Sequence, residues 1–486
     1  MHFKELGSRL STKPAIIYPD KNTSISFADF GDMTAQVANY VLAKFGTEFS
    51  IAVSQNNDID YLVALCACVQ SPFHLVSINN RLTDSEKQDI VEDSKSKCIL
   101  SVEDYESAYN TASKEPITTE LFGTAVFYSS GTTGKPKGII RPLLNIPVGV
   151  NGSPYYMARR DFNINEESVF YSPGPYYHAA SGGTTVSALS AGATVINTEK
   201  FDAEKTLEYI EKYKITHMMM VPTHLIRILK LPESVRNKYD LSSLELIVHG
   251  AAPCPIEVKQ KMIEWVGPII FEYYATSEVI GYTNITSAEW LLHKGSVGKS
   301  LIGNAYVVDH NGIELPRGEI GYLVFDAPLS FNYSNAEGNN SLLVFGDKIG
   351  VGDIGWMDRE DYIYLTDRHT NMIVSGGVNI YPQEAENILI MHPAVKDVAV
   401  IGVPNSDMGE EVKAIVELQD SYTPSEDLSE ELIGYIKTHI ASFKCPKSID
   451  FTNLLPRSDS GKLLKKEIKE KYWGNDRNQI IRHTVF

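Results

Sequence analysis

The chain has 486 residues, 43% of them hydrophobic, and a formal net charge of −17. That length exceeds one compact core, so at least two domains are expected, and the acidic balance argues against nucleic acid as the main partner. Anionic ligands must then be held by local positive features against a repulsive background.

The N-terminal "MHFKELGSRL" lacks the apolar core of a signal peptide, and no apolar run is long enough to span a membrane. Cys66, Cys68, Cys98, Cys254 and Cys445 are odd in number and scattered, with no CxxC pair. Neither a zinc site nor a disulfide framework is suggested, and a cytoplasmic location is expected.

The first informative stretch is "VFYSSGTTGKPKGIIR", Val126 to Arg141. Apolar flanks anchor a loop rich in glycine, hydroxyls and lysine. Glycine and small hydroxyl residues let successive backbone N–H groups point at one anion. Ser129, Ser130, Thr132 and Thr133 add hydroxyl donors, Gly131 and Gly134 add freedom, and Lys135 and Lys137 add charge. The stretch reads as a phosphate clasp between two strands. It is not the G-x-x-x-x-G-K-[ST] loop, because Pro136 follows Gly134-Lys135.

From 190 to 280 short apolar strands alternate with helices. "ATVIN" reads as a strand, "AEKTLEYIEKYK" as a helix, "THMMMV" as a strand and "THLIRILKL" as a helix. "LELIVHG", "PIEVKQKMIEWV" and "IIFEYY" continue as strand, helix, strand. This alternation predicts βαβ units and a parallel sheet, with ligands at the carboxyl ends of strands. That rule points to the residues after "LIVHG" and after "IIFEYY". Between 297 and 366 the texture becomes β-rich. Beyond Asp367 a compact α+β unit follows, with helices in "PQEAENILIMH" and "SEDLSEELIGYIKTHIAS" and strands in "VKDVAVIGVP" and "VKAIVEL". The expectation is an α/β protein. Residues 1–367 would form a large domain with parallel-rich sheets and a β-rich subdomain, and residues 368–486 a small α+β domain.

"YSSGTTGKPKG" resembles the signature of the adenylate-forming (AMP-binding) superfamily, which includes acyl-CoA synthetases and fatty-acid or aromatic-acid CoA ligases. "PGPYYHAA", "HGAAPC", "FEYYATSE", "VGDIGWMD", "YLTDRHTNMIVSGGVNIYPQEAE" and "PRSDSGK" follow in the family's order, covering about 120 to 465. The resemblance implies two steps. A carboxylate attacks the α-phosphate of ATP to give acyl-adenylate and pyrophosphate, and the thiol of coenzyme A then takes the acyl group.

It also implies roles. Ser129 through Lys135 would hold the β- and γ-phosphates, Glu278 would help hold Mg²⁺, and Ser277 would bond the α-phosphate. Tyr274 would stack on adenine, with Gly250, Ala251 and Ala252 giving the other face close approach. Asp353 would accept the ribose hydroxyls, with Arg368 near ribose and phosphate. Lys462, after Gly461, would neutralise charge developing in adenylation. Tyr176, Tyr177, His178 and Ala179 would line the acyl pocket, with space behind them at Ala180, Gly182 and Gly183. Gly376 and Gly377 would let the pantetheine arm approach. The small domain would be mobile, rotating about Thr370 between the two half-reactions.

Two departures from the family pattern stand out. The hinge position usually carries Asp or Lys and is followed by Asp, whereas this chain has Thr370 and Asn371. The usual Gly-x-Thr-Glu carries Ala275 and Ser277 here. The acid implied is neutral and apolar, because no acidic residue stands where amino-acid-activating domains hold an ammonium group. Transfer to a carrier-protein phosphopantetheine is the enzymatic alternative, and a non-catalytic nucleotide-binding protein is the alternative of another class.

Overall fold

The computed structural model describes residues 3–129, 137–151, 153–326, 331–335, 342–457 and 463–473. Within them the expected alternation forms. Strand Thr194–Ile196 leads to helix Ala203–Tyr213, strand His217–Met220 to helix Pro222–Leu229, and strand Leu246–His249 to helix Ile256–Val266. Strand Ile270–Ala275 closes the series. The helix boundaries have local causes. The Asp202 side chain accepts the Lys205 N–H at the start of Ala203–Tyr213, and Pro222 sits in the first turn of its helix, where a missing N–H costs nothing. Gly267, at φ +85°, ends helix Ile256–Val266.

Among the described residues these strands belong to a nine-stranded sheet. Its order is Lys299–Ile302, Tyr282–Thr286, Ile270–Ala275, Leu246–His249, His217–Met220, Val169–Tyr171, Thr194–Ile196, Pro14–Tyr18 and Thr23–Ser26. The six strands from Ile270–Ala275 to Pro14–Tyr18 pair in parallel, and the outer strands at both edges pair antiparallel. Both faces of the central strands are covered, which explains their unbroken apolar runs. Met218 and Met220 enter the core beside Leu207, Leu225 and Met262, while Met219 enters the core on the other face with Val195 and Val248. Each such side chain contributes ~1.5–3 kcal/mol through burial.

A five-stranded sheet runs Asn332–Tyr333, Lys137–Ile140, Ala125–Ser129, His74–Ser77 and Ser50–Val53. The sequence reading took no elements before Val126, so the strands at 50–53 and 74–77 are additions from the structure. Among the described residues, the β-rich texture from 297 to 366 corresponds to a six-stranded antiparallel sheet that includes Gly321–Phe325, Asp353–Met357 and Ile363–Arg368.

From Ile373 onward the chain builds another five-stranded sheet, around the long hairpin Val395–Asn405 and Gly409–Leu418. Strand Ser448–Thr452, which the sequence reading missed, pairs parallel to Gly409–Leu418. Helices Pro382–Leu389 and Glu426–Lys437 cover this sheet, and Leu389, Val400, Ala414, Leu432 and Ile436 form its own core. Ile226 packs against that core, and the Lys230 ammonium donates to the Val395 carbonyl. Among the described residues no helix is long and apolar enough to cross a membrane. All five cysteines are free thiols.

Candidate active site

Two strand ends frame the site. At the first, strand Leu246–His249 runs into Gly250, Ala251 and Ala252. A Cβ at Gly250 would lie 2.9 Å from the Tyr273 carbonyl oxygen, so only glycine lets the two backbones meet there. Ala251 adopts φ +66°, an unusual left-handed conformation for a residue with a Cβ. At the second, strand Ile270–Ala275 ends in a tight turn. The Val279 N–H donates to the Thr276 carbonyl, and the Ile280 N–H donates to the Thr276 hydroxyl. Val279 is β-branched yet sits at φ +56°. Such strain persists only where the surroundings impose it, and it collects at functional sites. The turn projects Ser277, which is exposed, and Glu278, which is half-buried.

Three of the expected nucleotide residues meet directly. The Tyr274 hydroxyl donates to one Asp353 oxygen at 2.6 Å, and Arg368 Nε donates to the other at 3.1 Å. The sheet register causes this. Asp353 and Arg368 are directly opposed across an antiparallel pair, which puts their side chains on one face. Burial, with the Asp353 carboxylate behind it, pushes the Tyr274 phenol well above its ordinary value, so it stays a donor. The Asp353 charge in turn holds Arg368 protonated and raises its pKa. The Tyr274 ring lies near-parallel to Phe325, with centroids 6.5 Å apart.

Glu278 has partners that the sequence reading missed. Its carboxylate accepts the Tyr333 hydroxyl at 2.6 Å, and Arg141 Nη2 donates to the neighbouring Ser277 carbonyl at 2.9 Å. Tyr333 lies on a two-residue strand, too short for any periodicity to show. Arg141 closes the quoted loop stretch but carries no motif of its own.

The acyl segment is mixed. Tyr176 is fully buried, its hydroxyl donating to Asn197 and its N–H to Asn57, so this ring is committed to the core. The Tyr177 and His178 rings meet at a tilt of 54° with centroids 4.7 Å apart, just before helix Ala179–Ser190. The space expected at Gly182 is taken, since a Cβ there would meet the Tyr176 carbonyl at 2.2 Å. A Cβ at Gly183 would meet nothing within 4 Å beyond its own helix.

Gly376 and Gly377 form a two-residue hairpin turn between strands Ile373–Ser375 and Val378–Ile380, with φ +57° and +80°. A turn of that type needs positive φ at both positions, which accounts for the pair without a ligand. At the expected hinge, Thr370 is the middle of a 3₁₀ turn, His369–Asn371. One Asp367 oxygen accepts the Arg368 N–H and the Asn371 side-chain amide, and the other accepts the Gln383 N–H. Asn371 can donate to Asp367 where the family's aspartate would repel it. Ser130 through Lys135 and Lys462 lie outside the described residues, and only the backbone of Ser129 is described, at the end of its strand. Lys465 is buried in an ion pair with Glu386 at 2.8 Å.

The geometry is thus a pair of strand-end loops, an anchored aromatic ring, a carboxylate opposed to a guanidinium, and a second carboxylate in a strained turn. Family models for the AMP-binding enzyme match residues 3–124 and 123–332, and one for the AMP-binding enzyme C-terminal domain matches 384–462. The chain belongs to the AMP-binding enzyme family. Among members of this family, a 2-succinylbenzoate–CoA ligase of Bacillus pumilus is 29% identical over 96% of both chains. A long-chain-fatty-acid–CoA ligase of Bacillus subtilis is 33% identical over 71% of this chain and 61% of its own. The ATP-bound MatB structure from Rhodopseudomonas palustris is 25% identical and superposes with a TM-score of 0.80, covering 97% of this chain and 98% of that one.

Proposed function

We propose that this chain is an AMP-forming acid–thiol ligase. It joins an apolar fatty or aryl carboxylic acid to AMP at the expense of ATP and then passes the acyl group to coenzyme A. The observation that carries the reading is the Tyr274–Asp353–Arg368 cluster beside the Ser277–Glu278 turn, at strand carboxyl ends of an AMP-binding fold. Relatives named as CoA ligases span nearly the whole chain, which favours coenzyme A over a carrier protein as acceptor. Their named acids, one aryl and one fatty, support a fatty or aryl acid, although the aryl one, 2-succinylbenzoate, carries a second carboxylate.

In the first step, the Tyr274 ring receives adenine, held in orientation by Asp353. The remaining lone pairs of Asp353 accept the ribose hydroxyls, and Arg368 offsets the charge beside it. Gly250 to Ala252 leave backbone room on the other face of the base. Ser129 to Lys135 clasp the outer phosphates. The acid's carboxylate oxygen bonds to the α-phosphorus as the bond to pyrophosphate breaks, and Lys462 offsets the charge that gathers there.

The donor set suits magnesium. Among the described residues no group of three or more ligating side chains exists, and Glu278 stands as a single half-exposed carboxylate. Mg²⁺ takes few protein ligands and fills its octahedron with phosphates and water. When bound it would screen the phosphate charge.

The proposed division falls at Asp367–Arg368. Strand Ile363–Arg368 ends the six-stranded sheet, and Ile373–Ser375 begins the next. Rotation about Thr370 would exchange the Lys462 segment for the Gly376–Gly377 turn and bring the acyl-adenylate and the thiol together. Tyr177, His178 and Ala179 would flank the acyl chain, with Tyr176 supporting them from the core. A cytoplasmic location fits the five free thiols.

Pyrophosphate exchange into ATP with a panel of fatty and aryl acids tests the reading. Acid-dependent exchange is expected, followed by thioester formation on adding coenzyme A. Exchange with no acid in the panel would count against it.

A further inference from the structure

Arg141 places a cation beside the Ser277–Glu278 turn. It follows strand Lys137–Ile140, and among the described residues it makes no ion pair. Its guanidinium donates to the Ser277 carbonyl at 2.9 Å. Burial lowers its pKa, so holding a charge there is unfavourable unless something compensates it.

Its position is set by the sheet. Along a strand, residues two apart share a face, so Lys137 and Ile139 point the same way, and Arg141 follows the last residue of that strand. Ile139 is directly opposed to Tyr333 across the antiparallel pair, so Tyr333 lies on that face too. Tyr333 donates to Glu278 at 2.6 Å, and the Lys137 ammonium lies 5.9 Å from the Tyr333 ring centre. Arg141 also feels the charge of Glu278 and the phenol of Tyr155. Tyr155 bridges two elements. Its hydroxyl accepts the Ala125 N–H, and its carbonyl accepts the Ser187 hydroxyl from helix Ala179–Ser190. Arg141 therefore lies between the Ser277–Glu278 turn on the nucleotide side and the helix that carries the acyl segment.

The reaction proposed above, on which this inference rests, brings a second anion to that place. The acid arrives as an anion and must approach a phosphate that already bears negative charge, beside the Glu278 carboxylate. We infer that Arg141 is a substrate-binding residue whose guanidinium receives the carboxylate of the incoming acid. Anchorage on the Ser277 carbonyl fixes the fork, and a planar guanidinium matches a carboxylate through two parallel hydrogen bonds.

The test compares wild type with Arg141→Ala, Arg141→Gln and Arg141→Lys in the pyrophosphate exchange assay. The probes are decanoate and benzoate, with decanamide and benzamide as neutral analogues. Wild type must show acid-dependent exchange for the underlying reading to stand, whatever Arg141 does. Given that, Arg141→Ala should raise the KM for the acid ~10- to 100-fold and leave the KM for ATP within about twofold. Arg141→Lys should recover part of the loss. The variant should also lose the wild-type preference for binding the acid over its amide, a readout that loosened packing would not move. Arg141→Gln keeps much of the side-chain volume and serves if the alanine variant fails to fold. An unchanged acid KM in an active wild-type background overturns the assignment alone. So does a rise in ATP KM of similar size, which would place the guanidinium on phosphate.

Discussion

Lys259 and Glu272 form a 2.8 Å ion pair with both side chains buried. Lys259 lies on helix Ile256–Val266 and Glu272 on strand Ile270–Ala275, so the pair ties together the elements that follow the Gly250 loop and precede the Ser277 turn. The Lys259 ammonium also sits 4.9 Å from the Trp290 ring centre. Breaking such a pair leaves an uncompensated buried charge, at a cost of ~3–5 kcal/mol. Lys259→Met should lower stability by about that amount in urea unfolding. The double variant Lys259→Met with Glu272→Leu should recover much of it. Equal losses in the single and double variants would mean that packing, not charge, dominates.

His249 is fully buried, 3.7 Å from the Glu272 carboxylate, and burial pushes its pKa from 6.5 down to about 4. The folded protein therefore holds it neutral at pH 7. The unfolded chain takes up this proton near pH 6.5 and the folded chain only near pH 4. Between those values the unfolded state binds more protons, so stability falls as pH falls. The full difference amounts to about 3 kcal/mol. Urea unfolding at pH 7.5, 5.5 and 4.5 should show a shallower acid loss for His249→Gln than for wild type. Parallel losses across that window would show that His249 titrates normally in the fold.

Asp353 has a larger share in the proposed nucleotide site than its phenol partner. Asp353→Ala removes the proposed ribose acceptor together with the Tyr274 acceptor and the Arg368 partner. Each charged hydrogen bond to the ribose is worth ~1.5–3 kcal/mol. Tyr274→Phe removes one hydroxyl and keeps the ring, so it should cost ~1 kcal/mol or less of ATP affinity. Calorimetric titration with ATP should rank the variants in that order. The opposite ranking would remove Asp353 from the ribose.

Lys462→Ala should remove adenylation far more than thioester formation from supplied acyl-adenylate, because one charge-stabilising donor is typically worth ~3–4 kcal/mol in the transition state. Single-turnover assays of the two half-reactions decide it, and equal losses would contradict the assigned role.

Thr370→Pro addresses the hinge. Proline fixes φ near −65° and restricts the preceding His369 to extended backbone. Adenylation should survive and thioester formation should fall sharply, read as pyrophosphate release and thioester yield. A folded variant with both rates unchanged would place the pivot elsewhere, with the Asp367 bonds to Asn371 and Gln383 the next feature to test.

Much of this was legible in the sequence because it depends on local pattern. The strands and helices from Thr194 to Ala275 show as apolar runs and 3.6-residue periods, since a strand buried on both faces leaves no room for polar residues. Gly376, Gly377 and Gly250 stand out in the sequence as places where a ligand could approach, whereas the structure shows a hairpin turn at the pair and a close approach of the Tyr273 backbone at Gly250. What the sequence could not show are pairings across elements. Tyr333 reaches Glu278 only because a two-residue strand lands opposite Ile139. The Lys259–Glu272 pair forms only when the helix docks on the strand. Lys465 meets Glu386 only through tertiary packing, and Gly182 reads as open space until the Tyr176 carbonyl fills it. In each case the deciding partner is distant in the chain or set by a packing angle. Local propensity carries no information about such a partner, and tertiary register supplies it.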